Sequence, residues 1–337
     1  MNMPDYAGRT VLVTGATGFV GRHLAKRLLQ QGAQLKVLVR DTSKLPAAWH
    51  DRVEVCAGDL ADVTTLEHAV KGAHWIFHCA ANVQTWGSDK AYELANVHGV
   101  HHLLTAIAKQ PDLPQRVVHV STADVYGFPS QPCDERCPVR APGFGYGDSK
   151  LRGELGLRET AHRMGLSFTV LRPTNVMGPG SPFIERVGRE LQNGLMLRVS
   201  GGHTDAGFLF VDNLVDCLLW AGQSALAHNE VFNVADPIPV TWRRVLDDLR
   251  QGIGGKGWIV DLPYPLAYAA AAAMELPYRL LGVAREPLLH RLVVDIFGRT
   301  CGHSADKLAA AGCPVGRVGY SQAMAESVDW FKEHTSH

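Results

Sequence analysis

Short apolar runs alternate along this chain with longer stretches in which apolar positions recur at helical spacing. Val11-Leu12-Val13 empties into a turn with glycines at Gly15, Gly18 and Gly21, and His23 to Leu29 then follows a helical period. The alternation recurs at Gln34 to Val39, Val53 to Cys56, Trp75 to Cys79 and Arg116 to Val120. A long helix is expected from Tyr92 to Lys109, and another opens at Tyr146 and runs to about Arg163. Strands and helices at this pitch predict an α/β fold, a doubly wound parallel sheet with helices on both faces. Gly207 to Val211 and Val231 to Ala235 read as later strands that return to that sheet. Ligands of such sheets bind outside the carboxyl ends of the strands.

The glycine turn has a physical purpose. A side chain at Gly15 or Gly18 would stand between backbone N–H groups and a phosphate, and one at Gly21 would hold the helix off the sheet. The helix N-terminus then meets a pyrophosphate with free amides and a favourable dipole. The spacing is G-x-x-G-x-x-G and not the G-x-G-x-x-G of the usual dinucleotide fingerprint, so position after the first strand counts as much as pattern. An ordinary tight turn is the alternative. The expected division is a Rossmann-type dinucleotide-binding domain, 9–176 plus about 207–235, and a smaller, discontinuous, mainly helical substrate-binding region at about 177–206 and 236–337.

The second strand ends at Arg40, where an acid binds the ribose 2′-OH and an arginine accommodates a 2′-phosphate. Arg40 precedes Asp41, and Lys44 follows. A charge-assisted bond to phosphate contributes about 1.5–3 kcal/mol, which favours NADP(H). NAD(H) stays open if Arg40 is a solvated cation and Asp41 takes the ribose. Asp59, before Leu60, is placed to accept from an adenine amine or to cap the helix near Val63. Small residues in His78-Cys79-Ala80-Ala81 would let the backbone pass under a cofactor.

Tyr146 and Lys150 are four apart, one helical turn on the same face. A tyrosine of ordinary pKa near 10 is a poor base at neutral pH, and lowering it by about three units requires roughly 4 kcal/mol of preference for the phenolate. A nearby ammonium supplies that preference. Thr122 or Ser121, at the end of the fifth strand, could hold a substrate oxygen as its charge changes. Taken alone, a Tyr and a Lys at this spacing are common surface neighbours.

The ordered set TGATGFVG, Asp59-Leu60, HCAA at 78–81, Asn96-Val97-His98-Gly99, VSTADVYG, Tyr146-x-x-x-Lys150 and Leu171-Arg172-Pro173-Thr174-Asn175-Val176 resembles the extended short-chain dehydrogenase/reductase family, over residues 9–235 well and loosely beyond. The resemblance implies Tyr146 as general acid/base and Lys150 as its partner and a ligand of the nicotinamide ribose. It implies Thr122, four residues before the VYG tyrosine, as the catalytic hydroxyl. Gly15, Thr17, Gly18, Phe19 and Val20 match the pyrophosphate loop, Ala80 and Ala81 the floor at strand four, and Pro173 with Val176 the nicotinamide lining. Asn96 matches a position near the cofactor whose role varies. A homodimer through helices near 97–109 and 147–163 is a further implication.

Composition narrows the partners. Thirty-three basic and thirty-three acidic residues, with no run of five like charges, give no footprint for nucleic acid and favour a small molecule. The first ten residues contain no apolar core of signal-peptide length, and seven scattered cysteines fit reduced thiols, so a cytoplasmic protein is expected. Cys133 and Cys137 do not have zinc-ligand spacing, and sixteen histidines include no H-E-x-x-H, so no metal site is expected.

Two features of the substrate half bear on chemistry. Nucleotide-sugar epimerases and dehydratases of this family usually carry an arginine for the diphosphate shortly before the Phe210-Val211-Asp212 segment, where this chain has Ala206-Gly207-Phe208. Leaving a diphosphate uncompensated is costly. The run from Pro263 through five alanines to Glu275 and Leu281 is too short to span a bilayer and could be a hydrophobic lid, an interfacial helix touching membrane through 263–281, or a core helix. It resembles the 3β-hydroxysteroid dehydrogenase branch, which implies a large apolar substrate. The expected activity is a secondary alcohol–ketone oxidoreductase on a sterol- or terpenoid-like substrate. The alternatives are a nucleotide-sugar epimerase or dehydratase, with a basic pocket from Arg186, Arg189 or Arg285, and a catalytically silent cofactor-binding protein.

Overall fold

Eleven strands organise the computed structural model, which describes residues 5–335 except 130, 142 and 284. They are β1 (Thr10–Thr14), β2 (Gln34–Val39), β3 (Val53–Ala57), β4 (Trp75–His78), β5 (Arg116–Val120), β6 (Phe168–Pro173), β7 (Asn175–Met177), β8 (Leu195–Val199), β9 (Phe208–Phe210), β10 (Glu230–Val234) and β11 (Trp258–Leu262). Seven form one parallel sheet in the order β10-β6-β5-β4-β1-β2-β3. The winding direction reverses between β1 and β4, and a reversal of this kind opens a crevice at the carboxyl ends of the two strands.

Alternation along the strands feeds two cores. Trp75 and Phe77 of β4 pack with Tyr6, Leu24, Leu28 and Leu218 on one face, while Ile76 packs with Leu12, Leu103, Leu104 and Leu157 on the other. A third core lies in the substrate half, around Trp242, Phe208, Phe210, Phe297 and Phe331. Trp242 is almost wholly buried, 4.4 Å from the Phe297 ring, and its indole N–H donates to the Ile296 carbonyl at 2.8 Å. Each fully buried side chain of this size contributes about 1.5–3 kcal/mol.

Three expectations change. The helix expected over 92–109 is a short α-helix, Asp89–Tyr92, a π-helical turn, Glu93–His98, and an α-helix, Gly99–Ala108. The wider turn carries buried Asn96, which is hydrogen-bonded to its neighbours, and π-turns of this kind mark functional segments. β9 does not return to the main sheet; it pairs with β7 in a separate two-stranded sheet, in the register Asn175↔Phe208. β8 and β11 form a further two-stranded sheet in the part expected to be mainly helical.

The helix Tyr264–Leu280 turns Ala267, Ala271 and Glu275 inward and leaves Leu266 and Leu276 more than half exposed. The helix therefore packs one face on the third core and presents the other to solvent. No helix among the described residues is long and apolar enough to cross a membrane.

Candidate active site

β1 delivers the glycine turn to the crevice. Gly15 has φ +75°, and a Cβ there would stand 2.7 Å from the Ala80 amide nitrogen, so the turn lies directly against the segment after β4. A Cβ on Gly21 would meet the Gly15 carbonyl oxygen at 2.1 Å. The helix Phe19–Gln30 starts at Gly18 with no side-chain cap and no acid in its first turn. Its free N–H groups and dipole suit an anion. Thr17, Phe19 and Val20 are half-buried on this rim, and Ala80 and Ala81 are half-buried opposite, with the Ala80 amide donating to Thr14 Oγ1 at 3.3 Å. The residues present fit a dinucleotide pyrophosphate.

At the β2 end, Arg40 is 82% exposed and reaches Asp59 with a long 3.8 Å contact. Asp41 is not free: its Oδ1 accepts from the Ser43 amide at 3.1 Å and the Ser43 hydroxyl at 2.6 Å. These bonds, with Lys44 alongside, hold its carboxyl below the usual range. The helix Val63–Val70 is capped by Asp62 and not by Asp59, whose Oδ1 accepts from the Ala61 amide. Leu60 is buried against Gly99, and its carbonyl accepts from His102 Nδ1 at 2.8 Å.

β5 leads through Thr122 into a short 3₁₀ segment, Ala123–Tyr126, which Thr122 caps by accepting from the Asp124 amide on Oγ1 at 3.2 Å. Tyr146, at the start of the helix Gly145–Met164, lies close to the Thr122 hydroxyl. Tyr146 is not lowered as the spacing with Lys150 led us to expect. Burial, then the negative charge of Asp124, pushes it well above the ordinary tyrosine value against the Thr122 bond. Lys150 instead turns inward and donates to the Val120 carbonyl at 2.6 Å. Burial brings its ammonium down to about 8, opposed by Glu154 and Cys79.

Asn96 braces this helix against the segment that follows Ala81. It accepts from the Asn82 amide at 2.8 Å and donates to the Asn82 carbonyl at 3.0 Å and to Ser149 Oγ at 2.9 Å, while Ser149 Oγ donates to the Tyr146 carbonyl at 2.7 Å. Pro173 ends β6, buried, and Val176 is half-buried in β7, where Asn175 donates to the Ala206 carbonyl.

Sequence reasoning gave no role to Asp124, Glu154 or Arg172. Asp124 lies inside VSTADVYG two residues after Thr122, and an acid at a strand end was the available signal. Glu154 and Arg172 are both fully buried, joined by a two-pronged ion pair, with Ser121 donating to Glu154 at 2.7 Å.

On the substrate side, Arg186 is held by Glu190 at 3.3 Å and Glu286 at 3.0 Å, and Arg189 by Glu185 at 2.7 Å. Glu286 also accepts from Thr85 at 2.7 Å and pairs with His290 at 2.7 Å. Among the described residues, Glu54, Cys56 and His68 are grouped closely enough for a metal. The Lys36 ammonium already lies 3.1 Å from Glu54 and donates to the His68 carbonyl, so a cation of the chain's own serves that carboxylate.

Comparison with known proteins agrees with this geometry. The model of the NAD dependent epimerase/dehydratase family matches residues 11–235. A 4-hydroxy-2-methyl-3-oxo-4-farnesyl-3,4-dihydroquinoline-1-oxide ketoreductase of Stigmatella aurantiaca is 30% identical over 93% of both chains. A 2-alkyl-3-oxoalkanoate reductase of Stenotrophomonas maltophilia is 26% identical, covering 85% of this chain and 88% of that one. In structure, MoeE5 in complex with UDP-glucose and NAD superposes with a TM-score of 0.76 at 24% identity, over 96% of this chain and 99% of that one. A nicotinamide dinucleotide is the cofactor such a crevice serves, and the chain belongs to the NAD dependent epimerase/dehydratase family, within the extended short-chain dehydrogenases/reductases, as an NAD(P)-dependent enzyme.

Proposed function

We propose that this enzyme interconverts a ketone and a secondary alcohol on a bulky, mostly apolar substrate, with NADP(H) preferred. The observation that carries the reading is Tyr146, at the start of the helix Gly145–Met164, lying close to Thr122 at the carboxyl end of β5. The substrate oxygen is taken between the two hydroxyls. Thr122 holds it, and Tyr146 gives it a proton from Oη as the carbonyl carbon is reduced to CH–OH. A tyrosine held above its ordinary value keeps that proton until charge develops on the substrate oxygen, which suits the reducing direction. When bound, the reduced nicotinamide supplies the hydride. Lys150 and the wall of Ala80, Ala81, Pro173 and Val176 would orient the nicotinamide end, and Gly15 to Val20 would hold the pyrophosphate.

The coenzyme preference rests on Arg40 and Lys44, both exposed, and on an Asp41 carboxylate already engaged by Ser43. Arg40→Ala is expected to weaken NADPH binding by roughly ten- to a hundredfold while leaving NADH within about twofold, read by fluorescence titration. Equal loss for both coenzymes would place the 2′-phosphate elsewhere.

Substrate class is supported from two sides. The two reductase relatives are named for a farnesylated quinoline oxide and for alkyl oxoalkanoates, and in each name the ketone stands near a second oxygen. The nucleotide-sugar reading would need free cations for a diphosphate; of the three arginines offered for it, Arg186 and Arg189 are engaged by glutamates, which leaves exposed Arg285. NADPH oxidation assayed with long-chain and isoprenoid ketones against UDP-sugars tests the choice. Conversion of UDP-sugars alone would replace our reading with the epimerase one.

An apolar substrate also gives a use to the outer face of the helix Tyr264–Leu280. Leu276, Leu280, Leu281 and Leu288 are 59–78% exposed, beside Arg279 and exposed Arg285. We assign this tip to contact with an anionic lipid surface. Wild-type protein is expected to co-sediment with phosphatidylglycerol vesicles and the Leu280→Glu/Leu281→Glu double variant to stay in the supernatant. Equal sedimentation of the two overturns the assignment. Exposed Leu94 and Leu155 offer the apolar contact for a homodimer, checked by analytical ultracentrifugation of Leu155→Glu.

A further inference from the structure

The helix Phe19–Gln30 carries a side chain that neither the pyrophosphate cradle nor the proton transfer uses. His23, in its second turn, places Nδ1 2.8 Å from Asp212 Oδ1 and Nε2 2.9 Å from the Pro179 carbonyl oxygen. Both partners accept. A carbonyl has no proton to give, and Asp212 stands in the first turn of the helix Val211–Gln223, where free N–H groups and the helix dipole favour its anion. A neutral imidazole has one N–H and serves one of these oxygens, whereas the imidazolium serves both. The two contacts together therefore select the charged form of His23. Arg27, one turn further along the same helix, lies 3.9 Å from Asp212 and 2.8 Å from Asp216, and Arg317 reaches Asp216 at 3.3 Å. Arg22 and Lys26, on either side of His23 in sequence, are exposed.

Pro179 belongs to the loop 178–181, between β7 and the helix Pro182–Asn193. That loop lies against the start of the glycine-turn helix: a Cβ on Gly180 would stand 3.9 Å from the Phe19 ring, and Phe19 meets the His23 ring edge-on at 5.7 Å. Phe19 and Val176 both pack against the third core. His23 thus ties the segment that follows β7 to the helix that follows the glycine turn, and a bound coenzyme would touch both, at Val176 and at Gly15 to Val20. A ligand that bridges two segments binds best when both are already in place, and its apparent affinity falls with the fraction of molecules in which they are.

We propose that His23 is a positioning residue for the coenzyme: with both ring nitrogens protonated it clamps the loop 178–181 to the glycine-turn helix, and coenzyme affinity follows that protonation. The inference rests on the coenzyme reading above. When the second proton leaves, the one that remains stays on Nδ1 beside the carboxylate, since a bond to an anion is the stronger, and the Pro179 carbonyl loses its donor. Affinity should therefore fall as pH rises. In support, the Asp212 carboxyl lies below the usual range although burial opposes it, because the His23 bond, then Arg27, outweighs burial.

The test is fluorescence titration with NADH from about pH 5.5 to about pH 8.5, the range of imidazole titration. NADH is the probe because it lacks the 2′-phosphate, a group that titrates over the same range. For wild type, Kd is expected to rise by about three- to tenfold across the range, the loss of one ordinary hydrogen bond. His23→Gln should hold Kd near the alkaline wild-type value at every pH. Asp212→Asn replaces the anion with a neutral acceptor and should move the wild-type transition to lower pH. Hydrogen exchange of residues 176–184 reports the clamp itself and should be about tenfold faster in His23→Gln than in wild type at the acid end. A flat wild-type profile, a His23→Gln profile parallel to wild type, or exchange unchanged between the two overturns the proposal while the coenzyme reading stands. Failure of wild type to bind either NADH or NADPH removes both.

Discussion

Tyr146→Phe is expected to cut ketone reduction by about 10²–10⁴-fold in kcat while NADPH still binds, because it removes one proton donor and no coenzyme contact of the glycine turn. The hydroxyl at Tyr146 lies close to Thr122, and burial, then the charge of Asp124, keeps it protonated. Lys150 donates to Val120 at 2.6 Å and is turned to the sheet. The measurement is single-turnover reduction beside a fluorescence titration with NADPH. A variant retaining more than about a tenth of wild-type kcat would move the proton donor to another group, with Asp124 the first to examine.

The second large effect concerns stability. Glu154 is completely buried, accepts from Arg172 Nε at 3.0 Å and again from Nη2, and accepts from Ser121 at 2.7 Å. Arg172 in turn donates to Tyr126 at 2.7 Å, and Tyr126 to Asn233 at 2.8 Å. The chain of bonds ties the helix bearing Tyr146 to the ends of β5, β6 and β10. Glu154→Ala leaves the Arg172 guanidinium buried without its anion, a change that costs about 3–5 kcal/mol. At roughly 2–4 °C per kcal/mol for chains of this order, the melting temperature should drop by about 6–20 °C. Adding Arg172→Met should recover part of the loss, since two apolar groups are better tolerated than one stranded charge. A melting temperature within 2 °C of wild type in Glu154→Ala would show that water reaches the pair and compensates it.

Several elements were legible because their causes are local. Apolar runs of strand length, helical spacing after the glycine turn and an uncapped helix start at Gly18 all arise within a few residues, and the structure has them at β1 and Phe19–Gln30. Where a partner comes from afar, the reading went wrong or stayed silent. The capping acid of the helix after β3 is Asp62, one of two acids three residues apart whose choice depends on how the β3 loop leaves the sheet. The π-turn at Glu93–His98 follows from what Asn96 reaches, Asn82 and Ser149, neither of which its neighbours in sequence reveal.

What the sequence by itself determined is the parallel sheet, the phosphate-ready turn and the placing of Thr122, Tyr146 and Lys150 at its carboxyl edge, since period, turn chemistry and helical spacing are short-range properties. Only the tertiary structure decided where the charges go. It turned Lys150 toward the Val120 carbonyl and hid Glu154 and Arg172 together. Spacing places a side chain on a face, but desolvation and the partners brought by distant segments decide its charge and its bonds.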